Sequence, residues 1–173
     1  MDIRLKARVH VTDIVDKQTR SRMMAGIKGK DTKPELVLRR ALHARGFRYR
    51  LHSKNVPGRP DLVFPKHHAI VFVHGCFWHR HEGCRYTTTP STRPVFWQAK
   101  FDANVIRDAA IRGQLKEAGW RVATVWECSL RKSDHVEAAA DQLTGWLISK
   151  SLQFEIGEEG VANSCPTRRV AST

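Results

Sequence analysis

One stretch near the middle of the chain, Ala69 to Cys84, constrains the fold more than any other. It begins with an apolar run, Ala69 to Val73, that is long enough for a buried strand. Gly75 then permits a sharp turn, because glycine adopts backbone angles that other residues avoid. The residues that follow are dense in cysteine, histidine and aromatic side chains. We therefore expect a central strand that leads directly into a loop carrying functional groups.

This loop and the end of a later strand provide three cysteines and a histidine that could bind one metal ion: Cys76, His81, Cys84 and Cys128. Three thiolates and one imidazole suit a closed structural zinc site. His79 or His74 could supply the nitrogen ligand in place of His81, and Cys128 could instead be a small buried apolar residue. Because four protein ligands leave no open position, we expect Zn²⁺ here to stabilise the loop and not to perform chemistry.

The composition indicates a basic, single-domain protein whose partner is a polyanion. The chain has 173 residues, 41% of them hydrophobic, and a net charge of +13. Residues 1–50 alone hold 14 lysine or arginine residues against five acidic ones. A field of this sign favours nucleic acid, although a basic surface without a partner is the alternative. No apolar run is long enough for a membrane span and no signal peptide is visible, so we expect a cytoplasmic protein without membrane contact.

The apolar patterns predict one α/β layer structure, a mixed sheet with helices against it. The predicted order is helix, strand, strand, strand, helix, strand, helix, over residues 32–46, 47–51, 62–64, 69–73, 96–118, 121–126 and 134–150. Glu35 lies three residues after Thr32, as in a capping box, so a structural role is as well supported as a catalytic one. We expect a mobile basic arm over 1–15, a folded domain over 16–150 that opens with a short helix before Lys30, and a disordered tail over 151–173 that contains Cys165.

Asp61 is a candidate for phosphodiester chemistry. It ends the turn Gly58-Arg59-Pro60-Asp61 and precedes an apolar strand, although an aspartate in this position is more often a turn residue. A carboxylate there could hold Mg²⁺, and His74 or His79 could take a proton from an attacking water. Hydrolysis of a phosphodiester needs this combination of a metal ion and a base.

Several motifs together resemble the very short patch repair endonucleases. They are Gly58-Arg59-Pro60-Asp61, His74-Gly75-Cys76-Phe77-Trp78-His79, Val125-Trp126-Glu127-Cys128, Thr19-Arg20-Ser21 with Met24, Asp31-Thr32 with Glu35, Arg93 with Phe96-Trp97, and Asn104 with Arg107-Asp108. The match covers roughly residues 16–147 in unbroken order. The combination is specific, whereas Gly-Arg-Pro-Asp alone would not be.

This resemblance implies a restriction-endonuclease-like fold and the nicking of one DNA strand on the 5′ side of the T in a T:G mismatch, which starts repair of deaminated 5-methylcytosine. It also implies roles for particular residues. Asp61 would be the Mg²⁺ ligand together with the main chain of Val73, and His79 the base that activates water. Glu35, His74 and Asp108 would support them, with Asp108 orienting His79.

The resemblance further implies that Cys76, His81, Cys84 and Cys128 bind zinc and that the N-terminal basic segment clamps the DNA. Phe77, Trp78 and Trp97 would wedge into the base stack beside the mismatch, although Trp97 could equally be a core residue. Unstacking costs least at a mispair, so wedging can itself supply selectivity.

The chain departs from the family pattern at two places. Val73 stands where the best-known members carry a threonine, but a main-chain carbonyl survives that change. Glu82 and Gly83 stand where the members have one residue, and glycine can absorb the insertion. The acid and lysine that the wider superfamily carries on the Ala69–Val73 strand are absent, which is also a property of this branch.

We therefore predict an Mg²⁺-dependent, zinc-stabilised mismatch endonuclease whose partner is double-stranded DNA with a T:G mismatch. A single nick needs one active site, so we expect a monomer, with a possible functional link to a cytosine-5 DNA methyltransferase. One alternative is a defence nuclease on the same scaffold that acts on matched or modified DNA. Another is a zinc-containing DNA-binding protein without catalysis, which the intact Asp61 and His79 disfavour.

Overall fold

The computed structural model describes residues 29–162 together with Asp16, Gln18, Thr19, Ser21, Arg22 and Gly26. The helices within residues 29–162 are α1 (Lys33–Ala44), α2 (Cys76–His79), α3 (Pro94–Glu117), α4 (Ser133–Ile148) and α5 (Glu158–Ala162). The strands are β1 (Arg50–Leu51), β2 (Leu62–Phe64), β3 (Ala69–His74), β4 (Arg121–Trp126) and β5 (Gln153–Ile156). Short 3₁₀ helices lie at Pro65–His67 and Glu127–Leu130.

The five strands form one mixed sheet in the order β1-β2-β3-β4-β5. Strands β1, β2 and β3 are antiparallel neighbours, and Leu62 pairs with Val71. Strand β4 runs parallel to both β3 and β5, and His74 pairs with Trp126. The predicted mixed sheet is therefore confirmed. The parallel pairing brings the carboxyl ends of β3 and β4 side by side, where the candidate metal ligands follow.

Side chains of the sheet alternate between two cores, one on each face. On one face, helices α1 and α4 pack against residues such as Val71 and Val125. On the other face, α3 packs through Leu115 against Ile70 and Phe72. Helices thus flank the sheet on both sides. His74 is in phase with Ile70 and Phe72, so β3 directs it toward the α3 face.

Helix α1 begins as its sequence predicts. The carboxylate of Glu35 accepts a hydrogen bond from the Thr32 hydroxyl at 2.8 Å and from the Thr32 main-chain N–H at 3.4 Å. The helix ends before Gly46, whose φ of +83° suits a residue without a side chain. The capping role of Glu35 is therefore confirmed.

Two predicted elements differ in detail from the observed ones. The strand expected over residues 47–51 pairs only at Arg50–Leu51, although Phe47 and Tyr49 are half-buried and the arginines between them are exposed, as the alternation predicts. In α3, the spacing of Phe101, Val105, Ile111 and Leu115 predicts one apolar side that faces the core. Val105 differs from this expectation, because it is 43% exposed. Trp97, in the first turn, is buried instead, because the loop after β3 covers that end of the helix.

The expectation of disorder from Ser151 onward is wrong for residues 151–162. Gln153–Ile156 forms the edge strand β5, and α5 follows it. Ile156 and Val161 are buried in the core shared with α1 and α4. This segment is too polar to form structure alone, and it becomes ordered by pairing with β4. The predicted tail beyond residue 162, including Cys165, lies outside the described residues.

The helix predicted before Lys30 is described only in part. Gln18, Thr19, Ser21 and Arg22 are helical, and an oxygen of Asp16 accepts the N–H groups of Gln18 at 2.9 Å and Thr19 at 2.8 Å. The arm over residues 1–15 and the apolar residues Met23, Met24 and Ile27 lie outside the described residues. Among the described helices, none has the length and apolar character that crossing a membrane would require.

Candidate active site

A cavity of about 740 Å³ brings together the five side chains that the sequence singled out for catalysis: Glu35, Asp61, His74, His79 and Asp108. They come from α1, the residue before β2, the end of β3, α2 and α3. Residues up to 73 positions apart thus meet beside the carboxyl end of β3. This convergence is a property of the fold and could not be read from any single segment.

Asp61 is held at the edge of the sheet by the neighbouring strand. Its Oδ2 accepts the main-chain N–H of Val73 at 2.7 Å. Burial raises the pKa of Asp61 to about 6, the Val73 hydrogen bond opposes this, and the nearby charge of Glu35 adds to it. A partly desolvated carboxylate of this kind is stabilised by a cation, which fits a metal ligand.

The main chain of Val73 also faces Asp61. In an antiparallel pair, the N–H and C=O of one residue point toward the same neighbouring strand. Because the Val73 N–H points at Asp61, its carbonyl oxygen lies on the same side. Replacing a threonine side chain by valine leaves this oxygen unchanged. Asp61 and the Val73 carbonyl therefore form an oxygen-ligand pair that could hold a hard divalent cation.

His79 and Asp108 form a second pair of candidate catalytic groups. Nδ1 of His79 lies 2.5 Å from Oδ2 of Asp108. Burial favours the neutral form of Asp108, but the hydrogen bond and charge of His79 outweigh it and lower the pKa of Asp108. The ionised carboxylate accepts the Nδ1–H, so Nε2 of His79 is the nitrogen that can take up a proton.

His74 stacks on His79, with ring centroids 3.9 Å apart and planes 9° apart. Burial, together with the charge of His79, lowers the pKa of His74 to about 3, so its ring is neutral near neutral pH. Its Nδ1 is buried and has no hydrogen-bond partner among the described residues. His74 can thus orient His79 and offer a neutral nitrogen to a ligand in the cavity.

The rim of the cavity is basic, a feature that the sequence reasoning only partly found. Lys100, Asn104 and Arg112 line it from α3, in addition to Asp108. These positions recur every four residues, which places them on one face of the helix. That spacing is the signal that could have predicted them. Asn104 also donates to the main-chain oxygen of Trp78 at 3.0 Å and fixes the loop to α3.

The three aromatic residues predicted to contact bases form one cluster next to this cavity. The ring centroids of Phe77 and Trp97 are 5.8 Å apart, and those of Trp78 and Trp97 are 6.1 Å apart. Trp97 is only 9% exposed and stacks on Phe101, so it is a packed residue in this structure. Phe77 and Trp78 are half-buried, and Trp78 also lines the cavity.

The candidate metal ligands Cys76, His81, Cys84 and Cys128 also meet, with one ligand atom of each lying within 4.8 Å of all the others. Nδ1 of His81 is 3.7 Å from the sulfur of Cys76 and 3.5 Å from that of Cys128. Zinc bonds of about 2.3 Å to sulfur and 2.0 Å to nitrogen place tetrahedral ligands about 3.6 Å apart. The cluster therefore has the donor set and spacing of a zinc site. His74 and His79 lie instead in the cavity with Asp61 and Asp108.

The cluster is enclosed from two sides. The His81 ring stacks on Trp126 at 4.2 Å, and the main-chain N–H of Glu158 donates to the sulfur of Cys128 at 3.3 Å. The hydrogen bond between the two sulfur atoms lowers the pKa of Cys128 and raises the pKa of Cys76. One thiolate is thus favoured before any metal binds, and thiolates are the form that binds metal.

Comparison with known proteins agrees with this geometry. A sequence profile of the family described as DNA mismatch endonuclease Vsr matches residues 12–85. The chain is 44% identical over 128 residues to Type II nicking enzyme V.XorIIP of Xanthomonas oryzae pv. oryzae, covering 74% of this chain and 93% of the relative. It is 38% identical over 153 residues to DNA mismatch endonuclease Vsr of Escherichia coli, covering 87% and 97%.

A third relative, Type II nicking enzyme V.NmeAIP of Neisseria meningitidis, is 40% identical over 121 residues, covering 70% of this chain and 86% of the relative. These matches cover most of this chain and most of each relative. The chain belongs to the DNA mismatch endonuclease Vsr family and is a DNA endonuclease.

Proposed function

We propose that this endonuclease nicks one strand of duplex DNA on the 5′ side of the T in a T:G mismatch and so starts very short patch repair of deaminated 5-methylcytosine. The observation that carries the proposal is the contact between the cavity and the aromatic cluster. Trp78 belongs to both. Aromatic side chains that unstack a weak base pair would thereby present the adjacent phosphate to Asp61 and His79.

The packing of the cluster suggests a division of labour among its aromatic residues. Phe77 and Trp78 are partly accessible and would reach the base stack first. Trp97 supports them through its packing against Phe101. It would have to leave this packing to enter the DNA itself. The free energy that this rearrangement requires is offset only where the bases unstack easily, which favours a mispair.

The cavity residues divide the chemistry among them. Asp61 and the Val73 carbonyl would hold Mg²⁺, which when bound neutralises charge on the phosphate oxygens. Nε2 of His79 takes the proton of the attacking water, and Asp108 orients the ring and stabilises its protonated form. His74 holds the His79 ring in place through stacking. Glu35 lines the cavity as a second carboxylate in addition to Asp61.

The cysteine–histidine cluster would hold a structural Zn²⁺. Its four ligands leave no open position for substrate. Cys76 and His81 flank the segment that carries Phe77, Trp78 and His79, so a metal at this point would fix both the base and the aromatic cluster. This supports a positioning role for zinc and not a catalytic one.

A second function is favoured by the names of the relatives. V.XorIIP and V.NmeAIP are described as Type II nicking enzymes, and neither name mentions a mismatch. The same cavity could nick matched or modified DNA in a defence role. Whether cleavage requires a mispair therefore separates the two functions.

The deciding experiment is a nicking assay on duplexes that differ only in T:G against C:G at one site, across several flanking sequences, with Mg²⁺ and then with EDTA. Asp61→Ala and His79→Ala test the cavity, and His43→Ala, an exposed histidine on α1, is the matched control. We expect Mg²⁺-dependent nicking of T:G duplexes by the wild type and by His43→Ala only. Equal nicking of both duplexes would support the defence function instead.

The substrate also sets the cellular context of the proposal. Deaminated 5-methylcytosine arises where a cytosine-5 DNA methyltransferase acts, so we propose a functional link to such an enzyme in the bacterial cytoplasm.

A nick in one strand needs one cavity of the kind described, which supports action as a monomer. Sedimentation of the protein with one T:G duplex would show a 1:1 complex if this is correct.

A further inference from the structure

A second cluster of potential metal ligands lies beside the catalytic cavity, and a side chain already fills its centre. Asp31, Glu35 and His52 each offer an atom within 4.8 Å of the other two. The guanidinium of Arg39 lies 2.5 Å from Asp31 Oδ1, 2.6 Å from Glu35 Oε2 and 3.2 Å from His52 Nε2. The guanidinium of Arg39 therefore lies in contact with all three candidate ligand groups.

Burial of this ion pair carries a desolvation cost. Arg39 is 6% exposed and Glu35 is 4% exposed, so both charges have lost most of their hydration. Nε of Arg39 is buried and has no hydrogen-bond partner among the described residues. A buried ion pair often stabilises a protein no better than apolar residues of the same volume would. Stability alone therefore does not account for this pair.

The position of the cluster suggests what that reason is. Arg39 joins three separate segments: the residue before the α1 cap, the first turn of α1 and the connection from β1 to β2, where His52 has a φ of +44°. Glu35 and Asp61 line the same cavity. The guanidinium of Arg39 thus fixes the carboxylate of Glu35, which lines the cavity.

We propose that Arg39 is a positioning residue, a built-in cation that holds the Glu35 carboxylate at the edge of the catalytic cavity and so supports the Mg²⁺ site at Asp61. This inference rests on the proposed metal-dependent mechanism. Without the guanidinium, Asp31 and Glu35 are two uncompensated carboxylates, and they would turn away from each other or capture a metal ion of their own.

The kinetic test compares Arg39→Met, which removes the charge and keeps most of the volume, with Arg45→Met. Arg45 lies just after α1 and pairs with Glu137 at 2.7 Å and Asp141 at 2.8 Å, remote from the cavity. We expect Arg39→Met to lower the single-turnover nicking rate at saturating DNA by about tenfold or more, with the dissociation constant for DNA changed by less than about twofold. The Mg²⁺ concentration for half-maximal rate should rise. Arg45→Met should nick at the wild-type rate.

A double-mutant cycle shows whether Arg39 acts through Glu35. The double variant of Arg39→Met with Glu35→Gln should be no slower than Glu35→Gln alone. Additive losses, or a normal rate for Arg39→Met, would overturn the proposal. If Arg39→Met does not fold, the double variant removes both buried charges, and Arg39→Lys keeps the charge without the two-pronged contact. Wild-type rates for both of these would also overturn it.

Metal binding without DNA provides a readout that does not depend on activity. Mn²⁺ binding is counted by electron paramagnetic resonance. Arg39→Ala, which empties the space, should bind one more Mn²⁺ than the wild type, and Arg39→Met, which fills it, should not. Failure of Arg39→Ala to gain an ion would contradict the idea that Arg39 occupies a cation position.

The two proposals fail in distinguishable ways. All nicking rates are measured on whichever duplex the wild-type protein nicks best. Absence of a T:G preference or of metal dependence in the wild type counts against the proposed function. The coupling between Arg39 and Glu35 is scored on that same duplex and stands or falls separately.

Discussion

Among the single residues of the cavity, Asp61 is half-buried and, within the described part of the chain, receives only the Val73 N–H as a hydrogen-bond partner. Its pKa in the folded protein, about 6, lies above the ordinary aspartate value of 3.8, mainly because of burial. Between these two pKa values, the Asp61 carboxyl therefore keeps its proton in the metal-free folded state and loses it in the unfolded state. Stability should fall as the pH rises through this interval and then stay constant above it.

This gives a prediction for Asp61→Asn, which keeps the hydrogen-bonding shape without the charge. Above pH 7 the variant should be more stable than the metal-free wild type by about 1–3 kcal/mol, and near pH 4 the difference should vanish. Thermal unfolding at both pH values in EDTA provides the measurement. Mg²⁺ should raise the melting temperature of the wild type only. A variant less stable than wild type at pH 7.5 would contradict this account.

Gly58, the first residue of the Gly-Arg-Pro-Asp turn, is required by its surroundings. It has a φ of +76°, and a Cβ there would lie 2.4 Å from Cγ2 of Ile111 on α3. Gly58→Ala should therefore destabilise the protein by about 1–3 kcal/mol and reduce nicking, because the turn positions Asp61. Denaturant unfolding measures the first effect.

Gly113→Ala is the matched control for this substitution. Gly113 also lies on α3, but in open space and in helical conformation. There alanine should stabilise the helix by up to about 1 kcal/mol. Equal effects at the two glycines would show that the contact with Ile111 is unimportant.

At the scale of elements, strand β5 and the turn after it close one side of the cysteine–histidine cluster. A Cβ on Gly157 would lie 2.7 Å from Cε1 of His81. Gly157→Ala should therefore displace the His81 ring and weaken zinc retention by about tenfold or more, since disturbing a metal ligand or its support typically costs that much. Competition with a chromophoric chelator measures the loss. Gly145→Ala, at an open position on α4, should retain zinc as the wild type does.

At the scale of the whole molecule, the net charge of +13 predicts DNA binding that weakens steeply with salt. Arg112 is exposed on the cavity rim, so Arg112→Gln should weaken binding to matched and mismatched duplexes alike. The slope of log affinity against log salt should decrease by about 1. Fluorescence anisotropy over a salt series measures both quantities. Arg45→Gln, away from the cavity, should leave the slope unchanged, and a selective loss on T:G duplexes alone would contradict a phosphate contact.

Local patterns in the sequence were sufficient for much of this protein. The capping box at Thr32 and Glu35 predicted the start of α1, and the apolar runs predicted β3 and β4, because these features depend on neighbours a few residues away. The clustering of Cys76, His81 and Cys84 predicted a metal site for the same reason.

Other features were decided only by the tertiary structure. The hydrogen bond from His79 to Asp108 spans 29 positions, and the contact from Arg39 to His52 joins a helix to a connection between strands. Strand β5 was missed because its ladder hydrogen bonds come from β4, a segment distant in sequence. Such contacts depend on which segments the packed sheet brings together, and the free energy that selects them comes from burial across the whole chain. The sequence by itself thus determined most of the elements and the chemical inventory, and the tertiary structure decided the edge strand β5 and which side chains come together.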